Sequence, residues 1–190
     1  MIYSRILGAG HYLPEKILTN EDLSKTIETS DEWIFSRTGI RQRHIAEKSE
    51  LTSDLAIKAC KSAIENSKID PNKIDYIICA TTTPDQTFPS TACKIQRNLN
   101  IGTIPSFDVQ AVCTGFIYAM QLGDALIKSN KAKNILIVGA ETLSKIVDWE
   151  DRRTCVLFGD GAGAVILSAD SQARGILSIN LFSDGSWHDS

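Results

Sequence analysis

The sequence predicts an α/β protein, with a mixed β-sheet that carries helices on both faces. Its strand-like segments, such as residues 74–80 and 134–140, are almost continuously apolar, which is typical of strands buried on both sides. Segments with helical apolar periodicity separate them, as at residues 52–66. After Thr154 the strand-like segments follow one another without helices, which predicts that part of the sheet is antiparallel.

The predicted elements alternate along the chain and are bounded by capping and turn-forming residues. Short polar side chains at Asn20, Ser30 and Ser90 suit helix N-caps. Residues 70–72 and 81–90 are rich in turn formers. The predicted strands cover residues 2–7, 74–80, 104–112, 134–140, 154–158, 162–168 and 175–181. The predicted helices cover residues 21–27, 52–66 and 113–129, with two more starting near Ser30 and at Ser90.

The composition is that of an ordinary globular protein, because 43% of the 190 residues are hydrophobic and 23% are charged. This length predicts one large domain or two small ones. The net charge of −3 argues against a nucleic-acid partner and against a polybasic membrane anchor. The apolar runs are shorter than the roughly 18 residues of a membrane span, and the N-terminus lacks the pattern of a signal peptide. We therefore expect a cytoplasmic protein without a membrane partner.

The five cysteines are an odd number and include no CxxC pair, so neither a disulfide scaffold nor a metal site is expected. Cys113 is distinguished by its position, where a predicted buried strand runs directly into a long apolar helix. Free backbone N–H groups and the helix dipole at such a point lower the pKa of a thiol and produce a nucleophile. The apolar flanks predict a dry pocket around the sulfur. The alternative is a structural cysteine, because free cysteines are usually packing residues.

Residues 111–116, AVCTGF, resemble the active-site motif of β-ketoacyl-acyl-carrier-protein synthase III, a thiolase-fold condensing enzyme. Three further segments resemble that family in the same order, so that the resemblance covers the whole chain: residues 29–46, 80–90 and 158–167. The resemblance implies a thiolase-like fold, with a mixed five-stranded sheet covered by helices on both faces. Residues 1–190 would be the N-terminal half of that two-half fold, and the C-terminal half would be absent from this chain.

The resemblance also implies a reaction that starts fatty-acid synthesis. Cys113 would take an acyl group from a short acyl-CoA such as acetyl-CoA and condense it with malonyl-acyl-carrier-protein, with loss of carbon dioxide. No cofactor is implied, and the protein would be a homodimer. Because the family's condensation needs a His and an Asn from the second half, we expect the isolated chain to lack condensation activity. We interpret the histidines of this chain as surface or capping residues: His11 near a turn, His44 and His188.

Trp33 and Arg37 form a second candidate site, since residues four apart project from one face of a helix. An indole and a guanidinium side by side can hold a flat, electron-rich ring by stacking and cation–π attraction. Considered alone, such a pair is more often a half-buried Trp beneath a surface Arg. The resemblance implies that the two residues hold the adenine of CoA, and that Thr29 and Arg152 line the same site. Arg153 is predicted to be a surface charge.

Two phenylalanines complete the predicted substrate site. Phe88 lies in the loop after a strand, where its own sequence context suggests a core anchor for that loop. The resemblance instead implies that Phe88 crosses a dimer interface and walls the partner's acyl pocket. Phe158 resembles a residue near the catalytic sulfur. The size of such a wall would select the acyl group, since one methylene is worth about 1–3 kcal/mol.

Three alternatives remain open. Gly159, Gly161 and Gly163 invite a nucleotide-binding interpretation, and hence a nicotinamide-dependent oxidoreductase, but their spacing and strand-like continuation favour a tight turn between strands. A related thiolase-fold condensing enzyme of polyketide or other secondary metabolism would share the cysteine motif, although the Trp33–Arg37 pair favours synthase III. A non-catalytic dimerising fragment would keep the fold and leave the cysteine inert.

Overall fold

A five-stranded mixed β-sheet forms the centre of the computed structural model, which describes residues 2–172 and 174–187. The strands are β1 (Tyr3–Tyr12), β2 (Lys16–Thr19), β3 (Gln42–Ile45), β4 (Tyr76–Ala80), β5 (Ser106–Val109), β6 (Asn134–Thr142) and β7 (Asp160–Asp170). The α-helices are α1 (Asn20–Leu23), α2 (Asp31–Thr38), α3 (Thr52–Ser67), α4 (Thr91–Asn98) and α5 (Gly115–Lys128). The central sheet has the order β1-β7-β6-β4-β5, and β2 pairs with β3 in a separate ribbon.

Both strand directions occur in the central sheet. β4 runs parallel to β5 and to β6, whereas β7 runs antiparallel to β6 and to β1. α4 links β4 to β5 and α5 links β5 to β6, while β6 reaches β7 without an intervening α-helix. The mixed five-stranded sheet and its antiparallel part are therefore confirmed.

Helices cover both faces of this sheet, as predicted. Because side chains alternate along a strand, Ile77 and Cys79 of β4 face one side, and Ile78 and Ala80 face the other. The first side packs against α3 and α4, and the second packs against α5. This burial on two sides is the physical reason for the continuous apolar runs in the sequence.

α5 is apolar on its outer side as well as toward the sheet. Ala119 and Ile127 pack in the core beneath the helix, whereas Ile117 and Leu122 are exposed.

Within the part of the chain that the structure describes, no helix is both long and apolar enough to cross a membrane.

A third apolar cluster joins the small helices near the N-terminus to a distant part of the chain. Leu23 of α1 and Ile34 of α2 pack with Cys155 and Val156, which belong to residues 151–159. This cluster is separate from the two that flank the central sheet. It brings α2 and residues 151–159 together.

Two of the predicted strands are wrong. Residues 154–158 form turns, because two successive backbone N–H groups donate to the carbonyl of Asp151 and curl the chain. Residues 175–181 are not a strand either, although the chain donates one backbone hydrogen bond to Ser4 of β1 there. Gly175 has a φ of 107°, in the left-handed region, and turns the chain where it meets β1.

The glycine-rich segments lie inside strands rather than at turns. Gly161 and Gly163 belong to β7, so the predicted tight turn is wrong. Gly8 and Gly10 belong to β1 instead of closing it, and His11 therefore lies in a strand and not near a turn. The reason is long-range pairing, because β7 forms ladders with β1 on one side and β6 on the other, and these hold the chain extended.

Candidate active site

Cys113 lies on a short 3₁₀ turn between the end of β5 and the start of α5. The turn, Val112–Thr114, is closed by the Thr114 backbone N–H and hydroxyl, which donate to the Ala111 carbonyl at 3.1 and 2.8 Å. The α-helix begins at Gly115, just after the turn and not at the cysteine itself. Cys113 thus stands at a strand–helix junction with one turn inserted.

Val112 holds this turn in a strained conformation. Its φ of 47° lies in the left-handed region, which β-branched residues rarely adopt. Strain of this kind costs about 1–3 kcal/mol, persists where the surrounding structure imposes it, and clusters at functional sites. Val112 directly precedes Cys113, so the strained backbone lies next to the exposed cysteine. No sequence pattern indicates it.

The cysteine is exposed and lines an open cavity of about 360 Å³ at the carboxyl ends of β4 and β6. Leu13, Phe116 and Glu141 line the same cavity, together with the glycine-rich start of β7. The expected dry pocket is wrong for the described structure, because the 3₁₀ turn stands at the end of the sheet with no buried residue. A Cβ atom at Gly161 would lie 3.0 Å from Leu13 Cδ2 and would narrow the cavity.

Glu141 fixes the loop that follows β4 beside this cavity. Its carboxylate accepts hydrogen bonds from the backbone N–H groups of Thr82 and Thr83, at 2.7 and 3.0 Å, and from the Thr83 hydroxyl. Hydrogen bonds to an anion are stronger than neutral ones, so they hold this loop against the end of β6. Glu141 is not among the predicted site residues, although a glutamate directly after a buried apolar strand is a signal for such a role.

The other four cysteines are less accessible. Cys60, Cys79 and Cys155 are buried, and burial raises the pKa of each thiol. Cys93 is partly buried, and its sulfur accepts a hydrogen bond from the hydroxyl of the α4 N-cap at 3.2 Å. Cys113 is therefore the exposed cysteine of the structure.

Three of the predicted binding residues come together beside α2. Ser30 caps the helix by accepting the Trp33 N–H at 3.1 Å, and the Arg37 Cζ lies 4.4 Å from the centroid of the indole. Arg152, from a distant part of the chain, brings a second Cζ to 5.2 Å from that ring. A separation of 4.4 Å is that of a single stacked layer, so a flat ring fits between Trp33 and Arg37 only after the guanidinium swings away.

Arg152 is also tied to the loop before α2. Its Nη1 donates to the Glu28 carbonyl at 2.7 Å, next to Thr29 in the chain. The Thr29 hydroxyl oxygen is buried and has no hydrogen-bond partner among the described residues. Arg153 is exposed and forms an ion pair with Asp151, with 3.0 Å between Nε and Oδ1. The four residues predicted to bind CoA thus share one region, and the neighbouring arginine is a surface charge.

The two predicted phenylalanines lie apart from Cys113. Phe88 is 81% exposed, so the core-anchor interpretation is wrong; the loop projects from the surface and residues 86–89 are all exposed. Phe158 lines a separate cavity of about 290 Å³ together with Leu143 and Val147. As far as the structure describes the chain, neither phenylalanine lines the cavity of Cys113.

The histidines do not meet the cysteine in the described structure. His11 lies in β1, and the Nδ1 atom of His44 is 2.6 Å from the Pro14 carbonyl oxygen. His188 lies outside the described residues. No histidine of residues 2–172 or 174–187 lines the Cys113 cavity. The same residues contain no group of three or more His, Cys, Asp or Glu side chains that could hold a metal ion.

The sheet order and the helices on both faces are those of the thiolase-like fold, and Cys113 lies at its β5–α5 junction. The structure of 3-oxoacyl-[acyl-carrier-protein] synthase III from Aquifex aeolicus VF5 matches with a TM-score of 0.87 and 51% identity, over 89% of this chain and 55% of that one. The corresponding structure from Pseudomonas aeruginosa PAO1 matches with a TM-score of 0.93 and 40% identity, over 98% of this chain and 59% of that one.

Along nearly its whole length, the chain is similar to β-ketoacyl-[acyl-carrier-protein] synthase III. Residues 107–185 match the family model described as 3-oxoacyl-[acyl-carrier-protein] synthase III. The synthases of Ehrlichia canis and Laribacter hongkongensis are 57% and 56% identical over 187 and 189 residues, or 98% and 100% of this chain. The chain spans 59% of the length of each of these two relatives.

Proposed function

We propose that this chain is the acyl-accepting part of a β-ketoacyl-acyl-carrier-protein synthase III. The observation that carries the proposal is the exposed Cys113, which stands on a strained turn at an open cavity before α5. A thiol in that place reaches an incoming thioester without any rearrangement of the core. The relatives support the same reaction, since β-ketoacyl-acyl-carrier-protein synthase III is the activity in their names.

The first step is transfer of the acyl group from an acyl-CoA to Cys113. The deprotonated sulfur attacks the thioester carbonyl carbon, a new C–S bond forms, and the bond to the CoA sulfur breaks, so that CoA leaves as its thiolate. The Gly115 N–H at the start of α5 donates to the Val112 carbonyl, and the helix dipole gives positive potential at this N-terminus. Such potential stabilises the negative charge that develops on the carbonyl oxygen.

The second step is decarboxylative condensation with malonyl-acyl-carrier-protein, which needs groups that stabilise a carbanion. Because no described histidine lines the Cys113 cavity, we infer that the 190 residues accept an acyl group but do not condense it. In this proposal they are the N-terminal half of the two-half fold, and the missing groups belong to the second half. Normal turnover of acetyl-CoA and malonyl carrier protein by the purified 190-residue chain would contradict this inference.

In this proposal, CoA binds in the region beside α2 that contains Trp33, Arg37, Thr29 and Arg152. Once Arg37 moves off the indole, the adenine stacks between the two side chains. The guanidinium of Arg152 meets the phosphates, and the unpartnered Thr29 hydroxyl offers one more polar group to the nucleotide. The negative net charge of the chain does not oppose this, because the Arg37 and Arg152 guanidiniums lie at the indole itself.

The substrates, the oligomeric state and the location belong to the same proposal. Acetyl-CoA is the acyl donor, malonyl-acyl-carrier-protein is the second substrate, and the protein works as a cytoplasmic homodimer. Phe88 supports the dimer, since a ring that is 81% exposed gains apolar contact when a second copy covers it. Phe88 of one copy and Phe158 would then limit the length of the acyl group.

Intact-mass spectrometry after incubation with acetyl-CoA tests the first step. We expect a mass increase of one acetyl group in the wild type and none in Cys113→Ser. Cys93→Ser is the matched control, because Cys93 is the next most accessible cysteine, and this variant should be acetylated like the wild type. An unmodified wild type would contradict the proposal and support an inert, dimerising fragment.

Binding of CoA tests the nucleotide site separately from the chemistry. Trp33→Ala should raise the dissociation constant of CoA about tenfold, because the indole face on which the adenine stacks is lost. Phe35→Ala is the matched control. The Arg41 Cζ lies 3.8 Å from the centroid of the Phe35 ring, but Phe35 is two positions after Trp33 on α2 and therefore projects from another face of the helix. Equal weakening by both variants, measured calorimetrically, would contradict a site at Trp33.

A second candidate keeps the chemistry and changes the acyl group. The priming β-ketosynthase of the R1128 polyketide pathway matches this fold with a TM-score of 0.86 and 33% identity over 88% of this chain. A panel of acyl-CoA donors in the same mass assay separates the two candidates. Preference for acetyl-CoA supports fatty-acid initiation, and preference for a longer or branched donor supports the second candidate.

A further inference from the structure

Arg43 is a buried arginine that none of the roles above uses. It lies on β3 and is 5% exposed. Its Nη1 donates to the Leu18 carbonyl at 3.1 Å, and its Nη2 donates to the Val156 carbonyl at 3.0 Å. Its Nε has no hydrogen-bond partner among the described residues. A buried cation that meets two neutral carbonyls is a costly arrangement, so its presence calls for an explanation.

The bond to Val156 connects β3 to residues 151–159. This segment contains no α-helix and no strand until β7 begins, and its own backbone hydrogen bonds only close turns within it. β3 passes directly against its end, since a Cβ atom at Gly159 would lie 2.9 Å from Arg43 Cβ and 3.1 Å from the His44 carbonyl oxygen. Arg43 is therefore the side chain through which β3 holds the middle of the segment.

The same segment carries Arg152 to the indole of Trp33. Val156 packs with Ile34 of α2 in the third apolar cluster, and Arg152 reaches back to the Glu28 carbonyl before α2. One side of the segment thus contacts α2, while Arg43 ties it to the β2–β3 ribbon. The place of the Arg152 guanidinium depends on both contacts.

We propose that Arg43 is a positioning residue for the nucleotide site, which fixes residues 151–159 so that Arg152 meets Trp33. The inference rests on the proposed function, in that the site positioned is the one proposed for CoA. Arg43 touches neither the ligand nor the reacting atoms. Its effect should therefore appear in the binding of acyl-CoA and not in the reactivity of Cys113.

Arg43→Lys in the complete natural protein is the main test. Lysine keeps the charge and reaches one carbonyl, but it lacks the fork that bonds Leu18 and Val156 together. We expect the dissociation constant of CoA to rise about tenfold, with the rate of Cys113 alkylation by iodoacetamide within about twofold of the wild type. Arg97→Lys, at an exposed arginine of α4, is the matched control and should change neither value.

A double-mutant cycle separates positioning from general destabilisation. In an Arg152→Ala background, Arg43→Lys should weaken CoA binding no further, because the side chain that it positions is already gone. An equal additional loss in that background would overturn the inference, as would unchanged CoA binding by Arg43→Lys alone.

Gly159→Ala keeps the inference testable if Arg43→Lys does not fold. The added Cβ atom pushes residues 151–159 away from β3. Gly159→Ala should therefore weaken CoA binding when Arg152 is present, and should have no further effect in an Arg152→Ala background. Unchanged binding in the wild-type background would contradict the inference. If the wild type fails to bind CoA, the proposed function is overturned. If the wild type binds CoA but the effects of Arg43→Lys and Gly159→Ala do not depend on Arg152, only the role of Arg43 is overturned.

Discussion

The role of a cysteine in this chain depends on its position in the fold and not on its residue type alone. Five cysteines share one functional group, yet Cys60 and Cys79 lie in the core against the sheet, and Cys113 lies on an exposed turn. The difference is made by backbone geometry, because Val112 in the left-handed region presents the following residue at the surface.

Alkylation with iodoacetamide near neutral pH should therefore select Cys113. We expect its labelling to be about tenfold or more faster than that of Cys60 and Cys79, because both are inaccessible and burial raises the pKa of each thiol. Peptide mapping of the folded protein measures the order of labelling. Unfolding in denaturant is the control, where the five rates should converge, and equal rates in the folded protein would contradict the geometry.

At the scale of elements, the close contact between β1 and α3 explains why residue 10 is a glycine although it lies within a strand and not at a turn. Gly8 and Gly10 look in sequence like the end of a strand, but β1 continues to Tyr12. A Cβ atom at Gly10 would lie 2.6 Å from the carbonyl oxygen of Ala59 and would also collide with the backbone N–H of Ala63. The helix backbone therefore packs directly on the strand at this point.

Gly10→Ala should lower the free energy of unfolding by about 3 kcal/mol, because the backbone of α3 must shift to admit the methyl group. Gly163→Ala is the matched control, since Gly163 lies in the paired strand β7 and a Cβ atom there meets nothing within 4 Å. That variant should stay within about 0.5 kcal/mol of the wild type. Urea unfolding measures both values, and equal effects would refute the close packing.

At the scale of the whole molecule, one carboxylate connects the loop after β4 to two helices. Asp85 accepts a hydrogen bond from the Ser53 N–H near the start of α3 at 3.0 Å and from Lys94 of α4 at 2.7 Å. Burial alone would raise the pKa of Asp85, but the bonds from Lys94 and Ser53 outweigh it and lower the pKa below the ordinary 3.8. A lowered pKa in the folded state means that the ionised form stabilises the fold.

The stabilisation by Asp85 should be present above pH 4 to 5 and should disappear as the pH falls through its lowered pKa, because protonation then removes the anion. Asp85→Asn should reduce the free energy of unfolding by about 1–2 kcal/mol at pH 7 and by much less near pH 2. Urea unfolding at both pH values tests this, with Glu47→Gln, an exposed carboxylate, as control. A loss of equal size at both pH values would rule out the charge effect.

The apolar pattern was sufficient for the core elements but not for the segments whose conformation depends on distant contacts. α3, the strands β4 and β6, and the helix caps at Ser30 and Ser90 lie where local periodicity and capping predict them. Residues 154–158 were predicted as a strand because they are apolar. They form turns closed by backbone bonds to Asp151, and Arg43, which is far away in the sequence, donates to the Val156 carbonyl.

The candidate sites divide in the same way. The motif at Cys113 and the Trp33–Arg37 pair are recognisable from residue types and spacing, whereas Thr29 and Arg152 are assigned to the same site only by the resemblance to the family. The strain at Val112 and the hydrogen bonds of the Glu141 carboxylate are not recognisable in this way, because they depend on backbone angles or on contacts between distant segments.

The sequence by itself determined the α/β class, the two-sided burial of the sheet and the position of the cysteine between a strand and a helix, because these follow from local patterns of apolar and capping residues. Only the tertiary structure decided that the glycine-rich segment extends β7, that Cys113 is exposed and that Arg152 meets Trp33. Strand pairing and side-chain contacts between distant segments determine these features, and no local pattern encodes them.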